Sequence, residues 1–76
     1  MPQIPIIKAK DFHKHLIKYG CVNLRIKGSH HRVYNPTTNK HSTVAIHGSD
    51  DLDKGSFSGV LSQLDIDVDD FLDFIR

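Results

Sequence analysis

A single cysteine, Cys21, stands in a chain of 76 residues, so no internal disulfide can form and cysteine-rich zinc frameworks are excluded. Long apolar runs are missing as well, which excludes a membrane-spanning helix. The opening Met-Pro-Gln-Ile-Pro has neither the charged start nor the apolar stretch of a secretory leader, and the expected compartment is the cytoplasm. Gly28 is the only glycine near a basic run, and neither a phosphate loop nor a dinucleotide fingerprint occurs, so no cofactor is implied. Acidic residues are nearly absent from the first half. Residues 1 to 40 carry eight basic side chains against Asp11 alone, a net of +7, whereas residues 41 to 76 carry Lys54 and Arg76 against eight aspartates, a net of −6. The overall +1 conceals this division. It points to a basic working surface for a polyanion and an acidic remainder that is solvated or meets another partner.

What is present fits one small domain, residues 1–76, because a chain this short buries only about 60% of the surface its unfolded form exposes. Ala9, Phe12, Leu16 and Tyr19 recur at three and four residues with lysines between them, predicting a helix from Lys8 to Tyr19 that Gly20 ends. Cys21 to Lys27 alternates as a half-buried strand, Gly28-Ser29 is a tight turn, and His30 to Asn35 is a second strand. Pro36 to Lys40 suits a hairpin loop, and His41 to His47 alternates again. A second helix follows, with Ser56 as its cap and Phe57, Val60, Leu61 and Leu64 on one stripe. Asp67 caps a short last helix whose apolar face is Phe71, Phe74 and Ile75. The expected fold is α+β: helix, three-stranded antiparallel meander, helix and short C-terminal helix, with the helices on one sheet face. That face is expected to carry Val22, Leu24, Ile26, Val44 and Ile46. The opposite face, left open, is expected to present Arg25, Lys27, His30 or its neighbour, Thr43 and His47.

Six histidines are several times ordinary usage, and His30 and His31 are adjacent between Lys27 and Arg32. Neighbouring strand residues point to opposite faces, so with Val33 inward His31 follows it, leaving His30, Arg32 and Tyr34 outward. A histidine among cations on an open sheet suits phosphodiester chemistry on RNA: imidazole titrates near neutrality and can take the 2′-hydroxyl proton, while lysine and arginine hold phosphate oxygens on which charge grows. His47 is the candidate for a second proton-transfer group. The plainer reading is an exposed strand histidine that binds nucleic acid or nothing. No metal site is expected, since His13 with His15 and His30 with His31 diverge in their elements and no histidines lie four apart on a helix. Cys21 has no helix N-terminus to lower its pKa and reads as a buried, inert thiol.

The stretch Lys27-Gly28-Ser29-His30-His31, following a basic helix that ends Tyr19-Gly20 and preceding Tyr34-Asn35-Pro36, resembles the HicA family of RNA-cleaving toxins from bacterial type II toxin–antitoxin systems. The similarity continues through Thr43-Val44-Ala45-Ile46-His47-Gly48, Leu52 to Phe57 and Val60 to Ile66. This resemblance implies a double-stranded-RNA-binding-like α-β-β-β-α fold, metal-independent cleavage of mRNA with the motif histidine, His30, as catalytic residue, and a HicB-like antitoxin that blocks the active surface. Ser29, His31 and His47 join Lys27, Arg32 and Tyr34 as expected RNA contacts. The chain departs from the family's usual proline at Ala45 and at Lys54. Neither is expected to touch the motif histidine, so both are expected to affect loop geometry rather than activity.

The function expected on these grounds is a toxin endoribonuclease that binds single-stranded or locally unpaired RNA on its basic sheet face, with Tyr34 able to stack on a base, and that leaves 2′,3′-cyclic phosphate ends. The alternative is a non-catalytic RNA-binding module of the same fold, against which stands the single lysine at the start of the second helix, where duplex binders usually present a cluster. A third reading is a protein-interaction module whose acidic tail docks a basic partner.

Overall fold

A computed structural model describes residues 4–76 of the chain. Residues 1–3, where the leader was sought, lie outside them. A short strand β1 (Ile7–Lys8) leads into helix α1 (Ala9–Tyr19), followed by strands β2 (Val22–Lys27), β3 (His30–Asn35) and β4 (Lys40–Ala45), strand β5 (Asp51–Leu52), and helices α2 (Lys54–Gln63) and α3 (Val68–Ile75). Strands β2, β3 and β4 form an antiparallel sheet in that order, and β1 pairs with β5. The expected α+β architecture is therefore present, with the β1–β5 pairing added.

Helix α1 forms because Ala9, Phe12 and Leu16 fall on one stripe that the rest of the chain buries. It stops at Gly20, whose φ of 127° disfavours any side chain. Helix α2 starts earlier than expected. Asp53, not Ser56, is its N-cap: one carboxylate oxygen accepts the Ser56 backbone N–H at 2.9 Å and the other accepts the Ser56 hydroxyl at 2.7 Å. At the other end of α2, Ile66 N–H reaches Leu61 O and Asp65 N–H reaches Ser62 O, a Schellman closure with Asp65 at φ 56°. Asp67 caps α3 as expected, accepting the Asp70 N–H at 3.1 Å. The buried residues of α3 are Phe71 and Leu72, while Phe74 is exposed and rests edge-on against Tyr19.

The core lies between the helices and one sheet face. Phe12, Phe57 and Phe71 meet there at ring-centroid separations of 4.9, 5.6 and 5.9 Å, bringing together α1, α2 and α3. From the sheet come Val33, Val44 and Ser42, with Cys21 just before β2. Asn35 is buried as well. Its amide donates to Leu64 O at 3.0 Å and its Oδ1 accepts from Thr37 N–H, while the Thr38 hydroxyl donates to the same Leu64 carbonyl at 2.7 Å. These bonds lash the β3–β4 hairpin to the end of α2.

The covered face differs from expectation along β2. Val22, Leu24 and Ile26 are 47%, 53% and 60% exposed. A bulge between Asn23 and Arg25 sets two β2 residues against one of β3, so the alternation that placed all three on one face changes phase at Leu24. Val22 thus pairs with Tyr34 on the open side, whereas Asn23 pairs with the buried Val33. Ile26 pairs with His31 on the covered side, at the sheet edge where the helices leave it uncovered. Val44 is buried and Ile46 packs partly against the core, as expected.

Candidate functional site

The open face is laid out by strand register. Gly28 and Ser29 join β2 to β3; Gly28 has φ 60° in the first central position and Ser29 is not at positive φ, the combination of a type II′ turn. That tight turn places Lys27 directly opposite His30, and Ala45 of β4 completes the row. Two residues along, Arg25, Arg32 and Thr43 form the next row. Val22, Tyr34 and His41 form a third.

Arg25, Lys27, His30, Arg32 and Thr43 together line a shallow depression of about 180 Å³. Arg32 is steered toward it by its guanidinium, which donates to Thr43 Oγ1 at 3.5 Å. Residues 22 to 45 contain no acidic side chain, so nothing in the sheet neutralises this group. An exposed imidazole, two guanidiniums and an ammonium around one hollow can hold a phosphodiester and take a proton from a hydroxyl beside it.

Ala45 has a place that the sequence did not reveal. Ile46 N–H donates to Ser29 O at 2.7 Å, making His30 and Ala45 a non-hydrogen-bonded pair whose side chains stand close. The departure from the family's proline therefore lies beside His30, not in a remote loop.

Of the remaining expected residues, Tyr34 shares the open face, its hydroxyl donating to Asn39 Oδ1 at 2.7 Å. Ser29 forms the turn and is half-buried. His31 is under the sheet, its ring 4.9 Å from that of His13, which donates to Asn23 Oδ1 at 3.1 Å. His31 Nδ1 is buried without a partner, and burial, aided by His13, holds its pKa below the ordinary 6.5. It does not share the depression with His30. Nor does His47: β4 ends at Ala45, the chain turns where Asp50 N–H reaches His47 O, and His47 lines a neighbouring hollow of about 390 Å³ with Asp50, Asp51, Asp53 and Gln63, which meets the first only at Thr43. Burial pushes the Cys21 thiol up, in keeping with an inert role. Arg25 and Thr43 were expected on the face but not among the RNA contacts, and His41, which the alternation of Thr43 and His47 places on the same face, was not among them either; its pairing with Tyr34 is given only by the register. Among the described residues no three His, Cys, Asp or Glu side chains are grouped to hold a metal ion.

A family model described as HicA toxin of bacterial toxin-antitoxin matches residues 9–66, from the first residue of α1 to the closure after α2. The chain belongs to the HicA toxin family. Its place is thus as the toxin of a toxin–antitoxin system, with an antitoxin as partner. No curated protein and no solved structure matches it. The HicA match contains the three-stranded sheet and all of the depression around His30, whereas β1 and α3 fall outside it. No helix among the described residues is long and apolar enough to cross a membrane.

Proposed function

We propose that this HicA-family chain is an endoribonuclease that binds mRNA on the open sheet face and cleaves it with His30. One observation carries the reading: His30 lines the same hollow as Arg25, Lys27 and Arg32, on a face without acidic side chains. A phosphate seated there has its non-bridging oxygens beside three cationic side chains. His30 takes the proton of the adjacent 2′-hydroxyl as that oxygen attacks phosphorus; the bond from phosphorus to the 5′-oxygen breaks, and the departing oxygen takes a proton from water, which reaches this open surface. The cations hold the charge that grows on the phosphate oxygens. The product is a 2′,3′-cyclic phosphate. Loss of mRNA arrests translation and growth, and a HicB-like antitoxin that covers this face relieves the arrest.

The test is to incubate the purified chain with RNA in excess chelator and analyse the new ends. Cleavage leaving 2′,3′-cyclic phosphates supports the reading. Binding without cleavage leaves a non-catalytic RNA-binding module, and cleavage that the chelator abolishes overturns the metal-independent mechanism.

A further inference from the structure

We propose that Tyr34 and His41 form a nucleobase-stacking subsite for single-stranded RNA beside the cleavage hollow. The proposal rests on the ribonuclease reading above and adds the part of the substrate that lies outside the scissile phosphate.

The three rows of the open face change character along the strands. The first two, Lys27–His30–Ala45 and Arg25–Arg32–Thr43, are cationic and polar. The third, Val22–Tyr34–His41, is apolar and aromatic. Its two rings come from adjacent strands, with centroids 5.0 Å apart and planes inclined by 38°. His41 is exposed and Val22 is 47% exposed, so this row offers the solvent an apolar and aromatic surface. Cationic rows for the backbone beside rings for the bases are the arrangement by which proteins hold single strands.

Two further features suit a platform. The Tyr34 hydroxyl is tied to Asn39 in the hairpin loop, and Asn39 sits at φ 58° with its N–H on Asn35 O, so the ring is held before any ligand arrives. Successive rows lie about 7 Å apart, a spacing close to that of successive phosphates in an extended strand. With the scissile phosphate in the hollow, the base of a neighbouring nucleotide falls over Tyr34 and His41. A duplex keeps its bases paired inside and cannot place one there, so the subsite selects single-stranded or locally unpaired RNA.

The experiment uses the full chain and a short 2′-O-methyl oligoribonucleotide, which cannot be cleaved, with one abasic position moved stepwise along it. At one position the missing base is expected to weaken binding to the wild type at least about 5-fold. His41→Ala and Tyr34→Ala weaken binding of the intact oligonucleotide to a similar degree and no longer distinguish the abasic one, while Tyr34→Phe, which keeps the ring, recovers most of what Tyr34→Ala loses. The chain has two tyrosines and no tryptophan, so stacking also quenches tyrosine emission, and Tyr34→Phe removes that quench. If the alanine variants bind the intact and abasic oligonucleotides in the wild-type ratio, the subsite is refuted while the nuclease reading stands. Should the wild type bind no RNA at all, both fall together. His41→Ala alters an exposed residue and keeps the test decisive even if Tyr34→Ala does not fold.

Discussion

Salt dependence gives a quantitative handle on the open face. Three cations, Arg25, Lys27 and Arg32, line the hollow around His30. For single strands, each phosphate neutralised contributes about −0.7 to the slope of log K against log salt, so three such contacts give a slope of about −2 and a loss of roughly 20-fold in affinity between 50 and 200 mM salt. Arg32→Gln removes one charge while leaving the backbone and the core untouched, since Arg32 is exposed. The slope of that variant falls to about −1.4 and the loss over the same range to roughly 7-fold. Fluorescence anisotropy of a labelled 2′-O-methyl oligoribonucleotide, titrated with protein at several salt concentrations, reads both slopes. Lys54→Gln, at the start of α2 and away from this hollow, serves as the control and keeps the wild-type slope. A wild-type slope near zero, or an Arg32→Gln slope equal to the wild type, would refute the assignment of these cations to RNA phosphates.

Two other predictions concern stability. Asn35→Ala removes the buried amide that joins the β3–β4 hairpin to Leu64 O and frees Thr37 N–H; the cost is about 1–3 kcal/mol, and each kcal/mol lowers the melting temperature of a domain this size by about 4–8 °C, readable by circular dichroism. An unchanged melting temperature contradicts the clamp. His31 sets a pH dependence. Its pKa is lowered in the folded state by burial and by His13, so below the ordinary 6.5 the unfolded chain takes the proton first. The stability this group contributes is present above pH 6.5 and is lost as the pH falls through its lowered folded value. Denaturant titrations from pH 7.5 downward should show a smaller acid-side loss in His31→Gln than in the wild type, and equal losses would exclude His31 as the cause.

Much of the fold could be read from local pattern. The stripe of α1, the meander of β2 to β4, the stripe of α2 and the Asp67 cap each depend on residues within a few positions of one another. So does the core of the site: Lys27 and His30 meet across a two-residue turn, and Arg32 shares the face of His30 by simple alternation. The β1–β5 pairing escaped because two-residue strands have no period to detect. The covered face of β2 was misassigned because one extra residue at the bulge reverses the phase, and alternation alone does not announce it. Ser56 and Asp53 are both good caps three residues apart, and the helix uses the earlier one, with Ser56 bonding back to it. His47 fell away from the site because the turn through Gly48, at φ 59°, ends the strand before it. The partners of Ala45 and His41 depend on register between strands, which becomes visible only once the sheet is assembled.

The central claim is that His30 carries the proton transfer, and the most direct measurement is the single-turnover cleavage rate of His30→Ala beside the wild type on one RNA. The variant is expected to keep the far-ultraviolet spectrum and to bind RNA, because His30 is exposed and outside the core, and to cleave about 10²- to 10⁴-fold more slowly. Cleavage by His30→Ala at the wild-type rate, with the same cyclic ends, would contradict the account.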